Sequence, residues 1–390
     1  MEGKSYIEQG LTSEIHHTAQ ATTLGITYSN PIKVQNAPSQ LPHHRRRRPR
    51  LQRHISLPPA LFFLARTAIC LTNFHTASAC SPTRSMLSSG ADNHIAGLGQ
   101  MAEHMRNASI YENRPGYEGY LNFRVAALSE VLQDEGYFTT MAGKSINNLY
   151  LKFHQYRHLG LSKTTSPSAR GFTNNLSFLP GCGNHFNYES QLSHPGDGIL
   201  APMKPAHDFW MRDDAFIDRI ADLPSPFYST TAFTDALLES LRSRNDNQPL
   251  FAYLPFTAPH WPLQAPREVI QMHRGMYDDA PGALRRRRLR ESVRLGRVDD
   301  FFIPKDGNLR RMVDIIDRDI QRVIDQLAGT DELDNTFVLF MSDNGAEGSM
   351  LEVLPVMGPS GSLSSIIGKY YDNSLENMVN ADSFVWYGPA

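Results

Sequence analysis

Apolar residues recur at helical spacing in three segments of this chain. The spacing predicts helices over residues 126–135, 234–244 and 311–327. The third segment is the most regular of the three. It places on one face the residues Val313, Ile316, Ile320, Val323, Ile324 and Leu327.

Short apolar runs between these helices predict strands. They are YFTTMAG (137–143), FAYLPF (251–256) and TFVLFM (336–341). The last run is continuously apolar, which is typical of a central parallel strand buried on both faces. Helices that alternate with such strands indicate an α/β fold with a mostly parallel sheet.

Residues 1–56 differ from the rest because they show no clean helical or strand period. They end in a basic stretch around Arg45–Arg48, and such a charge run repels itself. We predict a disordered basic arm here, with nuclear import or contact with a polyanion as the alternative. A second run, Arg285–Arg288, is interpreted as the solvated face of a surface helix. Globular sequence begins at residue 57.

Composition narrows the class of protein. The 390 residues are 41% hydrophobic and 20% charged, which excludes a wholly disordered, collagen-like or coiled-coil chain. Lys and Arg number 38 against 40 Asp and Glu, and this net charge of −2 does not favour nucleic-acid binding. Three cysteines are too few for a disulfide framework.

Membrane association is not indicated by any segment. The first ten residues lack the apolar core of a signal peptide. The most apolar stretch, Pro58–Leu71, is too short to span a bilayer and carries Arg66 in its middle. It predicts a buried helix that runs into a strand. We therefore expect a soluble, cytoplasmic protein with no membrane partner.

The segment HTASACSPTRSMLSSG (75–90) combines a cysteine with the start of a helix. Cys80 precedes Pro82 and Arg84, so a polar side chain lies where unpaired backbone N–H groups attract an anion. Arg84 adds a forked cation. The residues thus predict an anion site centred on Cys80. The alternative is that Cys80 is a small buried hydrophobic residue.

Polar residues also follow two of the predicted strands. Asp343 and Asn344 come after TFVLFM, and their oxygens suit Ca²⁺ or Mg²⁺, although an Asn-Gly turn capped by Asp343 is the alternative. His260 follows FAYLPF between Pro259 and Trp261. A histidine held in this way can bind an anion or protonate a leaving group, but a lone histidine is more often structural or exposed.

The segment CSPTRSMLSSG (80–90) resembles the sulfatase signature C-x-P-x-R-x-x-L-x-x-G at all five fixed positions. SDNGAEG, FTAPHWPLQAP, RGF (170–172) and GNHFNY (183–188) resemble further blocks of the family, closest to microbial alkyl- and arylsulfatases. The resemblance implies an alkaline-phosphatase-like α/β sandwich, with a large, mainly parallel mixed sheet flanked by helices. It also implies a sulfuric ester hydrolase acting on a small-molecule sulfate ester.

The same resemblance implies a mechanism and its residues. Cys80 would be oxidised to formylglycine (3-oxoalanine) by a generating machinery that reads Pro82 and Arg84, and its hydrate would be the nucleophile. One Ca²⁺, or Mg²⁺, would be held by Asp343, Asn344 and the modified Cys80. The family's other catalytic positions match Arg84, Lys144, His158 and His260.

Three departures from the family pattern qualify these expectations. No aspartate precedes residue 57, so we expect the family's first strand and its two metal-binding aspartates to be missing. Thirteen inserted residues, 145–157, separate His158 from Lys144, which ends the MAGK sequence (141–144) of a predicted strand. His158 therefore need not reach the site. The family's last active-site lysine and C-terminal subdomain are not found. We expect residues 57–390 to form a partial catalytic domain, incomplete at both ends.

Alternative functions remain open from the sequence. The missing aspartates and lysine favour a catalytically impaired sulfatase homologue. Phosphate and phosphonate ester hydrolases share the scaffold and the signature. A nucleic-acid-binding module is disfavoured because no stacking platform accompanies the arginine runs.

Overall fold

The computed structural model describes the chain in segments. They comprise residues 22–28, 74–101, 109–145, 163–180, 183–186, 210–218, 221–245, 248–260, 264–274 and 311–345, with isolated residues between 60 and 71 and between 286 and 294. The helices among them are α1 (Cys80–Ser89), α2 (Leu128–Asp134), α3 (Ser229–Ser243), α4 (Arg267–Met272) and α5 (Arg311–Gly329). The 3₁₀ turns are Ser109–Tyr111, Lys163–Thr165, Ser168–Arg170 and Leu333–Asn335.

Seven described strands form one sheet. They are β1 (Thr22–Tyr28), β2 (Phe138–Lys144), β3 (Asn174–Phe178), β4 (Trp210–Arg212), β5 (Ala215–Phe216), β6 (Leu250–Pro255) and β7 (Thr336–Ser342). Their order is β5-β4-β3-β2-β6-β1-β7. Pairing is parallel between β2 and β3 and between β2 and β6, and antiparallel elsewhere. Five strands therefore share one direction, and β1 and β4 oppose it. The expected mixed α/β sheet flanked by helices is confirmed.

Strand β1 corrects one expectation. We expected no strand before residue 57, yet Thr22–Tyr28 pairs with both β6 and β7, with Gly25 opposite Tyr253 and Leu339. The sequence TTLGITY alternates Leu, Ile and Tyr with smaller residues, and this short β-pattern was missed. The predicted disorder is wrong for these seven residues, and β6 has a neighbour on each side. The other residues of the predicted arm lie outside the described segments.

Strand β7 corrects a second expectation. Its direction matches that of β6, as predicted for a parallel strand, but it lies at the end of the described sheet. Phe337 is 66% exposed and Phe340 36% exposed, so the strand is not buried on both faces within the described part of the chain. A continuous apolar run does not show whether a further strand or helix covers it.

The main core lies between α3, α5 and one face of the sheet. Phe233 and Leu237 of α3 pack with Ile316 and Ile320 of α5. In α5 the buried face also includes Met312 and Ile315, whereas Val313 is only partly buried. A smaller cluster on Met141, Phe172, Phe251 and Tyr253 packs against Leu87 of α1 and Leu132 of α2. Helices thus cover both faces of the central strands.

The stretch from residue 58 to 71 agrees with its predicted pattern only in part. Ala60 is helical and buried, and Leu64 is helical and partly buried. Ile69 and Leu71 are exposed and lie outside any strand, so the predicted strand is wrong at these positions. Among the described helices, none is long and apolar enough to cross a membrane.

Glycine is required where β2 approaches β6. Gly143 has a φ of 142°, and a Cβ added there would lie 2.2 Å from the carbonyl oxygen of Pro255. No L side chain fits this approach without moving one of the strands. The glycine therefore allows β2 to bring Lys144 alongside the end of β6.

Candidate active site

Helix α1 begins at Cys80 and buries its first six residues. Ala79 before it is extended, with φ −140° and ψ 156°, so the chain turns into the helix at the cysteine. Pro82 is tolerated because backbone N–H groups of the first turn have no partner within the helix. The helix ends at Gly90, whose φ of 67° provides the left-handed cap. The signature segment thus forms one short helix with Cys80 at its first position.

Lys144 brings its ammonium group to Cys80. Lys144 is the last residue of β2, and its Nζ lies 3.3 Å from Sγ of Cys80. Cys80 is 7% exposed and Lys144 is 1% exposed. Cys80 forms no disulfide with any residue that the structure describes. The ammonium group of Lys144 is within hydrogen-bond distance of the sulfur of Cys80. Cys80 and Lys144, two of the residues predicted for the site, are therefore in contact.

Arg84 lies one turn further along α1, fully buried among acceptors. Its Nε donates to Oδ2 of Asp343 at 2.6 Å. Its Nη1 donates to the carbonyl oxygen of Lys144 at 3.0 Å, and its Nη2 to that of Phe256 at 3.4 Å. The guanidinium thus joins α1 to the ends of β2, β6 and β7. Each of its three nitrogens is engaged by the protein itself.

The ion pair of Arg84 with Asp343 is buried at both partners. Burial by itself disfavours the charged guanidinium, but the nearby acidic groups, Asp343 first among them, together outweigh it, and the pKa of Arg84 is raised. Oδ1 of Asp343, the other carboxylate oxygen, is buried and accepts no hydrogen bond from the described residues. An orphaned buried carboxylate oxygen requires a partner.

A hard cation is the partner that the resemblance implies. Asp343 offers Oδ1, and the neighbouring Asn344 is buried and carries an amide oxygen of the kind that Ca²⁺ binds. These two residues fit as ligands, but calcium takes about six to eight oxygens. In the segments that the structure describes, no group of three or more His, Cys, Asp or Glu is arranged to hold a metal. The described residues alone do not complete a calcium site.

His260 follows β6 in a tight turn. Its backbone N–H donates to the carbonyl oxygen of Thr257 at 3.0 Å, and its own carbonyl lies 3.1 Å from Nε2 of His185. The side chain of His260 is partly buried. This turn begins one residue after Phe256, whose carbonyl binds Arg84. His260 therefore follows the end of β6, where the carbonyl of Phe256 accepts a hydrogen bond from Arg84.

Two further histidines of the family-like segments are His158 and His185. His158 lies outside the described residues, so its predicted role stays a prediction. His185 was noted only as part of GNHFNY and was given no role. Its place in a block that resembles the family was the one signal in the sequence, because its partners Ser229 and His260 lie in distant segments.

Comparison with known proteins identifies relatives over most of the chain. The sequence model described as Sulfatase matches residues 51–388. An uncharacterized sulfatase of Schizosaccharomyces pombe is 46% identical over 85% of this chain and 60% of its own length. An arylsulfatase of Klebsiella aerogenes is 30% identical over 85% of this chain and 68% of its own. The chain thus spans about 60% of the S. pombe relative.

Solved structures resemble this chain at lower sequence identity. The crystal structure of yidJ from Bacteroides fragilis is 17% identical and covers 72% of this chain and 55% of its own, with a TM-score of 0.47. The PsFucS1 sulfatase from Pseudoalteromonas sp. is 15% identical over 68% of this chain and 45% of its own, with a TM-score of 0.39. The family assignment rests on the sequence matches, and by these the chain belongs to the Sulfatase family.

Proposed function

We propose that this protein hydrolyses a sulfate ester to an alcohol and sulfate. The observation that supports it is the contact of Cys80 with Lys144, 3.3 Å between Sγ and Nζ, at the first turn of α1. The relative from Klebsiella aerogenes is named an arylsulfatase, which favours a small aryl or alkyl sulfate as the substrate. The compartment, predicted to be the cytoplasm, stays a prediction.

The nucleophile in this proposal derives from Cys80. When Cys80 is oxidised to formylglycine by a generating machinery, position 80 would carry a hydrated aldehyde. One hydroxyl of the hydrate would form a bond to sulfur as the S–O bond to the alcohol breaks. Loss of the proton from the second hydroxyl would then expel sulfate and restore the aldehyde. Lys144 Nζ then lies beside the reacting group, where a fixed cation stabilises the negative charge that builds on the sulfuryl oxygens. The buried environment strengthens this attraction because little water screens it.

His260 is proposed as the group that protonates the leaving alcohol. The turn that carries it begins at the end of β6, beside the strand end on which Lys144 lies. Protonation of the departing oxygen lowers the barrier to breaking the S–O bond of an alkyl ester. For an aryl sulfate the leaving phenol is more acidic, so the demand on His260 is smaller.

Arg84 has a different proposed role from the one that the resemblance implied. Its three nitrogens already donate to Asp343 and to two backbone carbonyls. We assign it to holding the ends of three strands and to balancing the charge of Asp343. Its positive charge still contributes to the field at Cys80, because these groups lie on one short helix.

A hard cation is proposed at Asp343 and Asn344. When bound, it would supply positive charge next to the nucleophile. Since the described residues offer two of the oxygens that calcium requires, further ligands must come from water, from substrate or from residues outside the described segments. We therefore expect weaker calcium binding than a full set of carboxylates would give.

The proposal is tested by mass spectrometry and turnover on the purified full chain. The peptide that spans Ser78–Arg84 is measured intact, because replacing the thiol group by an aldehyde changes its mass in a defined way. Conversion at Cys80 together with hydrolysis of an aryl sulfate supports the proposal. An unmodified thiol in protein co-expressed with a generating enzyme, without turnover, contradicts it.

The second candidate is a catalytically impaired homologue. The specific observation in its favour is that the residues that the structure describes supply few oxygen donors around Asp343. Turnover of an aryl sulfate with and without EGTA separates the two. Loss of activity with EGTA and its return with calcium indicate a working sulfatase. A converted Cys80 without turnover under either condition indicates the impaired homologue. Faster turnover of a matched phosphate ester would change the substrate class.

A further inference from the structure

His185 is completely buried and joins three separate segments of the chain. Its Nε2 lies 3.1 Å from the carbonyl oxygen of His260, and its Nδ1 lies 2.8 Å from Oγ of Ser229 at the start of α3. Its backbone N–H donates to Oε1 of Gln264 at 2.8 Å. The ring therefore connects the turn that carries His260 to a core helix.

The hydrogen bonds define one tautomer. A backbone carbonyl only accepts, so Nε2 of His185 carries the proton and donates to His260. Nδ1 then accepts a hydrogen bond from the hydroxyl of Ser229. Oγ of Ser229 lies 3.2 Å from Oγ1 of Thr257, and it accepts a hydrogen bond from that hydroxyl in turn. Every polar atom of the ring has a partner in this arrangement.

The ring is held neutral in this setting. Burial lowers the pKa of His185 to about 4, although the hydrogen bond to His260 acts in the opposite direction. A group that does not ionise near neutral pH and has no exposed surface is unsuited to carry protons for a reaction. It is suited to fixing the backbone that it contacts.

We propose that His185 is a positioning residue that sets the orientation of His260. This inference rests on the proposed function for its catalytic consequence, but its structural core is the Nε2–H bond to the His260 carbonyl. That bond fixes the last peptide of the turn that begins at Thr257. A displacement of about 1 Å at a reacting group costs up to about 100-fold in rate.

Two variants of His185 separate its two hydrogen bonds. The amide nitrogen of His185→Gln reaches nearly as far as Nε2 and can keep the donor to His260. The shorter His185→Asn can keep the contact with Ser229 but cannot reach His260. Both variants lose the imidazole ring, so both lose some of its buried packing. We expect His185→Asn to lower kcat by about 10- to 100-fold, and His185→Gln to retain most of it.

A double-mutant cycle tests whether the effect passes through His260. In a His260→Ala background, His185→Asn should change kcat by less than about twofold, because the group that it positions is gone. A full additional loss in that background would indicate a merely structural role and would overturn the proposal. Equal losses for the Gln and Asn variants would do the same.

Amide hydrogen exchange tests the structural core without any need for turnover. His185→Asn should speed exchange in the peptide that spans residues 257–260, where the His260 amide bonds to Thr257. Exchange in α5 should not change. Unaltered exchange at 257–260 would overturn the inference whether or not the protein is active. Faster exchange in a protein without sulfatase turnover would sustain it and contradict the proposed function alone.

Discussion

Arg84 and Asp343 lie 259 positions apart and form a buried ion pair, with Nε 2.6 Å from Oδ2. The pair links helix α1, which the signature segment forms, to the end of the last described strand. A charge buried without its partner is costly, so the two residues depend on each other. This pair is the physical reason that the signature segment and the Asp-Asn segment form one site.

Removing either partner of this pair should strongly destabilise the protein. We expect Arg84→Ala and Asp343→Ala each to lower the free energy of unfolding by about 3–5 kcal/mol, measured by urea unfolding. Asp235→Ala is the matched control, because Asp235 pairs with Arg322 at the surface and should cost about 0–1 kcal/mol. Equal losses for the buried and the exposed pair would contradict this expectation.

Lys144 should matter for turnover more than for folding. Lys144→Met removes the ammonium beside Cys80 and keeps most of the buried chain length. We expect kcat on an aryl sulfate to fall by about 100- to 1,000-fold, as for loss of a fixed electrostatic contact to the transition state. Lys163→Met, at an exposed position of a 3₁₀ turn, should leave kcat unchanged. A similar effect of both substitutions would exclude a local role for Lys144.

Cys80 should be indispensable for turnover. We expect Cys80→Ala to abolish sulfatase activity, because alanine can be neither nucleophile nor precursor of one. Cys182→Ala is the matched control and should change the rate little. Steady-state rates of both variants on an aryl sulfate check this. If both substitutions abolished turnover, the role given to Cys80 would be wrong.

Stability should depend on pH through His185. Its pKa is about 4 in the folded protein and about 6.5 when unfolded, so only the unfolded chain gains a proton between these values. The contribution is fully present above pH 6.5 and is lost as the pH falls towards 4, by on the order of 3 kcal/mol. Urea unfolding from pH 7 to 4.5 should show a shallower decline for His185→Gln. Parallel declines would refute this assignment.

Gly143 should resist substitution more than other glycines. A Cβ at Gly143 would meet the Pro255 carbonyl at 2.2 Å, whereas a Cβ at Gly329 has nothing within 4 Å. We expect Gly143→Ala to lower stability by about 3 kcal/mol or more, since both overpacking and an unfavourable φ contribute. Gly329→Ala should be neutral or slightly stabilising in the last turn of α5. Thermal unfolding of the two variants tests the contrast.

Local pattern predicted one helix with a single apolar face and two short apolar strands. The apolar spacing of α5 and the short apolar runs of β2 and β6 predicted these elements to within two residues of their observed bounds. Helix α3 begins five residues before its predicted start because Ser229 and Thr230 are buried by tertiary contacts that polarity alone does not show. Strand β1 was also missed because its stability depends on tertiary structure. Its seven residues acquire their two partners, β6 and β7, only in the sheet.

The sequence by itself determined the chemistry present at the helix and strand ends. It places a cysteine at the start of a helix, a lysine at the end of one strand, a histidine after another and an Asp-Asn pair after a third. These follow from residue type and spacing, which are local. Only the tertiary structure decided that Arg84 would form an ion pair with Asp343 and that His185 would contact the carbonyl of His260. Such contacts join residues tens to hundreds of positions apart, and no local period encodes which distant side chains share a buried volume.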